Sequence, residues 1–229
     1  MTLEERLTRR GSLARLGALL AAAAGGGITA ERASGDGPAA VSTGLVSCVL
    51  TPELTEGPYY IAGEKVRRNI TDGHPGTPLA LRLSVVDAST CKPVKGAAVD
   101  IWHADAAGVY SGFGAGTASR TFMRGIQPTN AQGLASFISV YPGWYTGRAV
   151  HIHVKVHVGG NVVHTGQLFF SDAITDTVYK RPPYSSRPNR DTRNAQDSIF
   201  VNGGKRSMLA LKQSESGWIG SITMGVHRS

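Results

Sequence analysis

Between Val150 and Val158 every even-numbered residue is apolar and every odd-numbered one is His or Lys: Val-His-Ile-His-Val-Lys-Val-His-Val. A period of two belongs to a strand with one face on a core, because successive side chains leave a strand on opposite faces. Leu79, Leu81, Leu83 and Val85 repeat the pattern, with Ala80, Arg82 and Ser84 opposite. Val99–Trp102, Leu134–Val140, Val162–Phe170 and Trp218–Val226 are further strand candidates. Gly159-Gly160-Asn161 marks a hairpin and Asn130-Ala131-Gln132-Gly133 another turn. The 29 glycines in 229 residues exceed the usual share of about 7%. No long helical period runs through this region. The expected fold is all-β: an antiparallel β-sandwich with long loops, one domain over residues 46–229.

Residues 171–207 break the pattern. Asp172 to Tyr179 reads as a short helix, and Arg181 to Pro188, with its three prolines, as a surface loop. Arg190, Arg193, Lys205 and Arg206 gather positive charge nearby. This is either a solvated loop or a weak attraction to anionic extracellular material. The net charge of +8 does not by itself imply nucleic acid.

Residues 1–40 read as an export signal and linker. Arg6, Arg9, Arg10 and Arg15 precede an apolar run, Leu16 to Ala24, too short to span a bilayer. Thr8-Arg9-Arg10-Gly11-Ser12-Leu13 is similar to a twin-arginine motif with its hydrophobic residue one place late, and an ordinary secretory signal is the alternative. Ala30 or Ala40 could end a processing site, and Leu45-Val46-Ser47-Cys48 matches a lipoprotein processing box. The protein is therefore expected to be secreted, without a membrane span. Cys48 and Cys91 are the only cysteines, either bridged or two buried thiols.

The chemistry starts at His151-Ile152-His153, whose two imidazoles share one strand face and could bind one metal. Tyr145 and Arg148 stand six and three residues before His151, in Tyr141-Pro142-Gly143-Trp144-Tyr145-Thr146-Gly147-Arg148. On an extended strand Arg148 would face away from His151, so a bend at Gly147-Arg148 must turn it inward. Asp100 to Tyr110 carries Ile-Trp-His and then Gly108-Val109-Tyr110.

At these residues the chain resembles the intradiol ring-cleavage dioxygenases, iron(III) enzymes that open catechols between their two hydroxyls, and most of all their smaller secreted members. The pattern is a hydrophobic-Trp stretch ending in Gly-x-Tyr, then Pro-Gly-x-Tyr, then Arg-x-x-His-x-His. The resemblance extends over residues 46–229, through Leu50 to Tyr60 and the Gly96–Val99 turn. It implies Tyr110 and Tyr145 as phenolate ligands of Fe(3+) and His151 and His153 as imidazole ligands. It makes Arg148 the cation beside the substrate and Gln167 the residue that orients it. It also implies that Tyr145 leaves when catechol binds while Tyr110 stays. The partners implied are a catechol-type substrate and O2, with a muconate-type product.

Three features depart from the pattern. Asn130 replaces a frequent aspartate, the Ser111–Arg120 loop is short and Gly-rich, and no helical dimerisation segment is present. Two rivals stand beside this reading. One is a non-catalytic transthyretin-like binding module, and the other a zinc lyase or superoxide-handling enzyme, which would want a third histidine. Tyr59 and Tyr60 are read as pocket mouth or core, His157 as solvent-facing, His74, His103, His164 and His227 as structural or surface, and Trp102, Trp144 and Trp218 as core.

Overall fold

The computed structural model describes residues 50–114 and 116–227. The expected export signal, the lipoprotein box and Cys48 lie outside them. Eight strands form two four-stranded sheets. The first holds, in order, β4 (Leu134–Val140), β1 (Pro78–Asp87), β8 (Trp218–Val226) and β7 (Ala210–Gln213); the second holds β3 (Arg124–Pro128), β2 (Ala98–Trp102), β5 (His151–Val158) and β6 (Asn161–Phe169). All neighbours are antiparallel except β1 and β8, which run parallel from Leu79↔Trp218 to Asp87↔Val226. Nearly the whole domain lies between these two strands, and a parallel pair needs such a crossover.

The alternating apolar sets meet between the sheets. Leu79, Leu81, Leu83 and Val85 from one sheet join Val99, Ile101, Ile152, Val154, Val156 and Leu168 from the other in a single cluster. The even-numbered residues of the Val150–Val158 run thus face the core. Strands β3 and β7 escape the sequence pattern because both are short edge strands with little apolar alternation. The segment at Val66 and Asn69 bridges to Ile126 on β3 and Ile138 on β4, stitching the two sheets along one side.

Helix α1 spans Asp172–Val178, and a second short helix, α2, spans Ser198–Asn202. The Arg181–Pro188 stretch is not surface loop throughout. Tyr184 is buried at 2% exposure in a 3-10 turn, and its hydroxyl donates to Tyr141 O and accepts from Thr77 N. An aromatic ring with paired polar atoms is worth more inside than out, so the proline-rich loop folds onto the core. Half of the charge gathered there is paired, Arg190 with Asp172 and Asp176 and Arg193 with Asp176, while Lys205 and Arg206 are exposed. Cys91 sits in the turn after β1 at φ 60° and is not a free thiol. No helix among the described residues is long and apolar enough to cross a membrane.

Candidate metal centre

Strand β5 puts His151, His153 and Lys155 on the face of the second sheet opposite the core. That face is covered by the segment from Thr51 to Lys65. Leu54 N donates to Thr165 O, Gln167 Nε2 to Thr55 O at 2.8 Å, and Arg124 Nη1 to Tyr59 O at 2.7 Å. The polar half of the alternation is therefore buried as well, with His151 at 3% and His153 at 0% exposure.

Register aligns one row across this face: Arg124 on β3 opposes Trp102 on β2, which opposes His153, which opposes Gln167 on β6. The Trp102 ring lies flat on the His153 ring, centroids 5.0 Å apart and planes within 6°. His151 Nδ1 lies 2.6 Å from Ala149 O. A carbonyl only accepts, so Nδ1 carries the proton and Nε2 presents a lone pair. That Nε2 is 3.0 Å from His153 Nε2 and 3.1 Å from Tyr145 Oη.

Both tyrosines come from loops that interlock. A Cβ on Gly108 would meet Trp144 O at 2.1 Å, and one on Gly143 would meet Ala106 O at 2.4 Å. Only glycine lets the two backbones approach so closely. Asp105 Oδ1 accepts from Ala107 N and Val109 N and fixes the turn that carries Tyr110. Tyr110 reaches ring centroids 5.5 Å from Tyr145 and 6.1 Å from His153. Its hydroxyl is buried with no hydrogen-bond partner.

The inward bend expected at Gly147-Arg148 is present. Gly147 has φ +81° and Arg148 N donates to Tyr145 O at 3.3 Å, so Arg148 precedes β5 rather than extending it. The guanidinium donates through Nη2 to Gln167 Oε1 and through Nε to Asp197 Oδ2 at 2.9 Å. All six residues expected from the sequence thus converge. Asp197 was not expected; its place before Ser198-Ile199-Phe200 signals only a helix N-cap.

Burial holds both imidazoles neutral. His151 is pushed down to about 3 by burial and then by the Arg148 charge, and His153 falls well below its usual range by burial and the neighbouring His151. Burial, with the nearby Tyr145, raises the Tyr110 phenol well above its ordinary value, and burial also raises Tyr145 while Arg148 opposes it. A cation bound among these groups reverses the preference of the phenols.

Neutral imidazole nitrogens converging with a half-buried phenol, Tyr145, and a buried, unpartnered one, Tyr110, fit a metal ion that accepts oxygen and nitrogen donors, as iron(III) does. Among the described residues no three His, Cys, Asp or Glu side chains gather at one point; the groups that come together here are two imidazoles and two phenols.

A cavity of about 310 Å³ opens onto the tyrosines, walled by Tyr59, Val109, Tyr110, Phe113 and Tyr145. Tyr59 stacks on Tyr110 at 4.2 Å, which assigns it to the pocket. Tyr60 turns instead to a neighbouring polar cluster, with Lys155 Nζ 3.6 Å above its ring. Buried in that cluster, Asp100 is pushed up to about 7 by burial and by Glu64. Of the other histidines, His103 is buried and bound to Ala104 O and Ser139 Oγ, while His74 meets Asp105 and His164 meets Glu53.

Comparison with known proteins matches the chain to a family. A family model described as "Dioxygenase" aligns with residues 55–180. Catechol 1,2-dioxygenase 2 of Acinetobacter lwoffii is 38% identical over 104 residues, covering 42% of this chain and 36% of that protein. The chain therefore matches little more than a third of that relative's length. An intradiol ring-cleavage dioxygenase from Tetranychus urticae superposes with a TM-score of 0.74 at 36% identity, covering 79% of this chain and 95% of that one. The dioxygenase domain of a carbohydrate-binding fusion from Streptomyces sp. SirexAA-E superposes with a TM-score of 0.63 at 29% identity, covering 79% and 100%.

Proposed function

The chain belongs to the intradiol ring-cleavage dioxygenase family, and from that premise we propose that it opens catechol-type rings between their two hydroxyls with O2. The cofactor in this reading is non-haem iron(III), with Tyr110, Tyr145, His151 and His153 as its ligands. One observation carries the reading: two neutral imidazole nitrogens lie 3.0 Å apart, with Tyr145 Oη 3.1 Å from one of them, and Tyr145 itself lines an aromatic cavity.

The chemistry a bound iron(III) supplies is withdrawal of electron density from a catecholate ring, which exposes that ring to oxygen. The protein's own groups do the rest. Tyr59, Val109 and Phe113 wall the cavity with largely apolar surface against which an aromatic ring can pack. Tyr145 takes up a proton at Oη as a catechol hydroxyl arrives. In this reading it is the tyrosine that moves, because the Gly147 turn beside it has open space around it, whereas Tyr110 is buried, stacks on Tyr59 and packs in one cluster with Trp102. Arg148 stabilises negative charge on the substrate. Catechol and O2 combine without loss of atoms into a ring-opened dicarboxylic acid of the muconate type.

A transthyretin-like binding module has no use for this donor set, and a three-histidine zinc site lacks its third imidazole. The proposal includes secretion, supported by the basic and apolar N-terminal stretch, and fractionation of expressing cells checks it. Oxygen uptake on a panel of catechols, measured beside iron content and visible absorption, tests the function. A colourless protein holding zinc, with no uptake on any catechol, refutes it.

A further inference from the structure

Asp197 belongs neither to the ligand set nor to the cavity wall, yet it is 2% exposed and makes four hydrogen bonds. Its Oδ2 accepts from Arg148 Nε at 2.9 Å and from Ala149 N at 2.8 Å; its Oδ1 accepts from Ile199 N at 2.8 Å and Phe200 N at 3.3 Å. One carboxylate therefore joins the residues leading into β5 to the first turn of α2. Burial alone would raise its pKa, but the Ala149 amide and the Arg148 charge hold it below the usual carboxylate range.

The guanidinium is a rigid plane, and a single hydrogen bond leaves it free to swing. Gln167 supplies one anchor at Nη2, and Thr55 O in turn fixes the Gln167 amide. Asp197 supplies the second anchor at Nε. With both made, the plane is set, and Nη1 is the arm without a partner among the described residues. Pairing the cation with a carboxylate weakens its attraction for an anionic substrate. What the pair adds is orientation.

We propose that Asp197 is a positioning residue for Arg148, fixing the plane of its guanidinium at the pocket and tying that plane to the start of α2. This rests on the reading of Arg148 as the cation facing the substrate. A plain helix cap would need only Oδ1.

The test is a double-mutant cycle on the iron-loaded full chain, with steady-state oxygen uptake on the best catechol. Asp197→Asn and Asp197→Ser both keep an oxygen that can cap α2 but lose the charged partner of Arg148. Each is expected to lower kcat by about 10–100-fold, as loss of an orienting partner typically does. KM should be unchanged or lower, because the freed cation attracts the substrate more strongly. In the Arg148→Ala background the same changes should shift kcat less than about 2-fold, since nothing is left to orient.

Two results overturn the proposal: kcat kept in both single variants, or the same loss with and without Arg148. Should the variants fail to fold, the wild type decides by NMR. The Arg148 Nε–H signal, assigned by its loss in Arg148→Lys, must exchange slowly with water, and fast exchange overturns the pairing. Absence of oxygen uptake in the wild type itself would instead refute the enzymatic reading, so the two failures are distinguishable.

Discussion

Replacing Gly108 with alanine tests the interlock that brings the two tyrosines together. Gly108 has φ +80°, and a Cβ there would meet Trp144 O at 2.1 Å. An alanine in the left-handed region costs about 1–2 kcal/mol from its own backbone. The overlap with Trp144 O adds about 1–3 kcal/mol, the usual range for overpacking a filled site. The sum is about 2–5 kcal/mol, or roughly 4–20 °C in Tm for a domain of this size. Gly160→Ala is the control, because Gly160 has φ +88° but nothing within 4 Å of its would-be Cβ. It should lose only the backbone part. Separating the loops should also draw Tyr110 away from Tyr145, so Gly108→Ala should hold less iron per chain, while Gly160→Ala keeps it. Thermal unfolding and metal content measured on both variants decide the matter. Equal Tm losses with equal iron content would refute the interlock as the device that assembles the site.

Tyr145→Phe should keep most of its iron and some colour but lose most turnover, whereas Tyr110→Phe should bind iron poorly; equal iron content and equal activity in the two would refute the division of roles. Asp100, pushed up to about 7, stays protonated in the folded chain where an unfolded aspartate, near 3.8, has lost its proton. The folded state then binds more protons between those values, and stability falls as pH rises from about 4 to 7. Asp100→Asn should flatten that slope by up to about 4 kcal/mol, at 1.36 kcal/mol per unit, in urea unfolding at pH 4, 5.5 and 7. A bridge between Cys48 and Cys91, which would close a loop of roughly 44 residues, should add about 4 kcal/mol at most in the chain-entropy account. Mass spectrometry without reduction should show one linked peptide pair, and free thiols at both positions would exclude the bridge.

The period-two alternation located six of the eight strands because those strands each put one face on the core. It could not reveal β3 or β7, which are short and carry little apolar alternation. Alternation alone showed that His151 and His153 share a strand face; the resemblance carried by Gly-x-Tyr, Pro-Gly-x-Tyr and Arg-x-x-His-x-His made Tyr110, Tyr145 and Arg148 legible as well. Asp197 was hidden because its partner Arg148 lies 49 residues away, and only the tertiary fold brings them together. Tyr184 misled for a related reason: proline density forbids a sheet but says nothing about burial.

The segment that covers the histidines begins at one end of the domain and is fastened to the other. Thr51 N donates to Gly225 O and Gly225 N to Thr51 Oγ1, each at 3.0 Å. During synthesis the cover emerges from the ribosome well before β8, the strand that clasps it. The imidazoles are therefore shielded from water only once β8 has been made and paired.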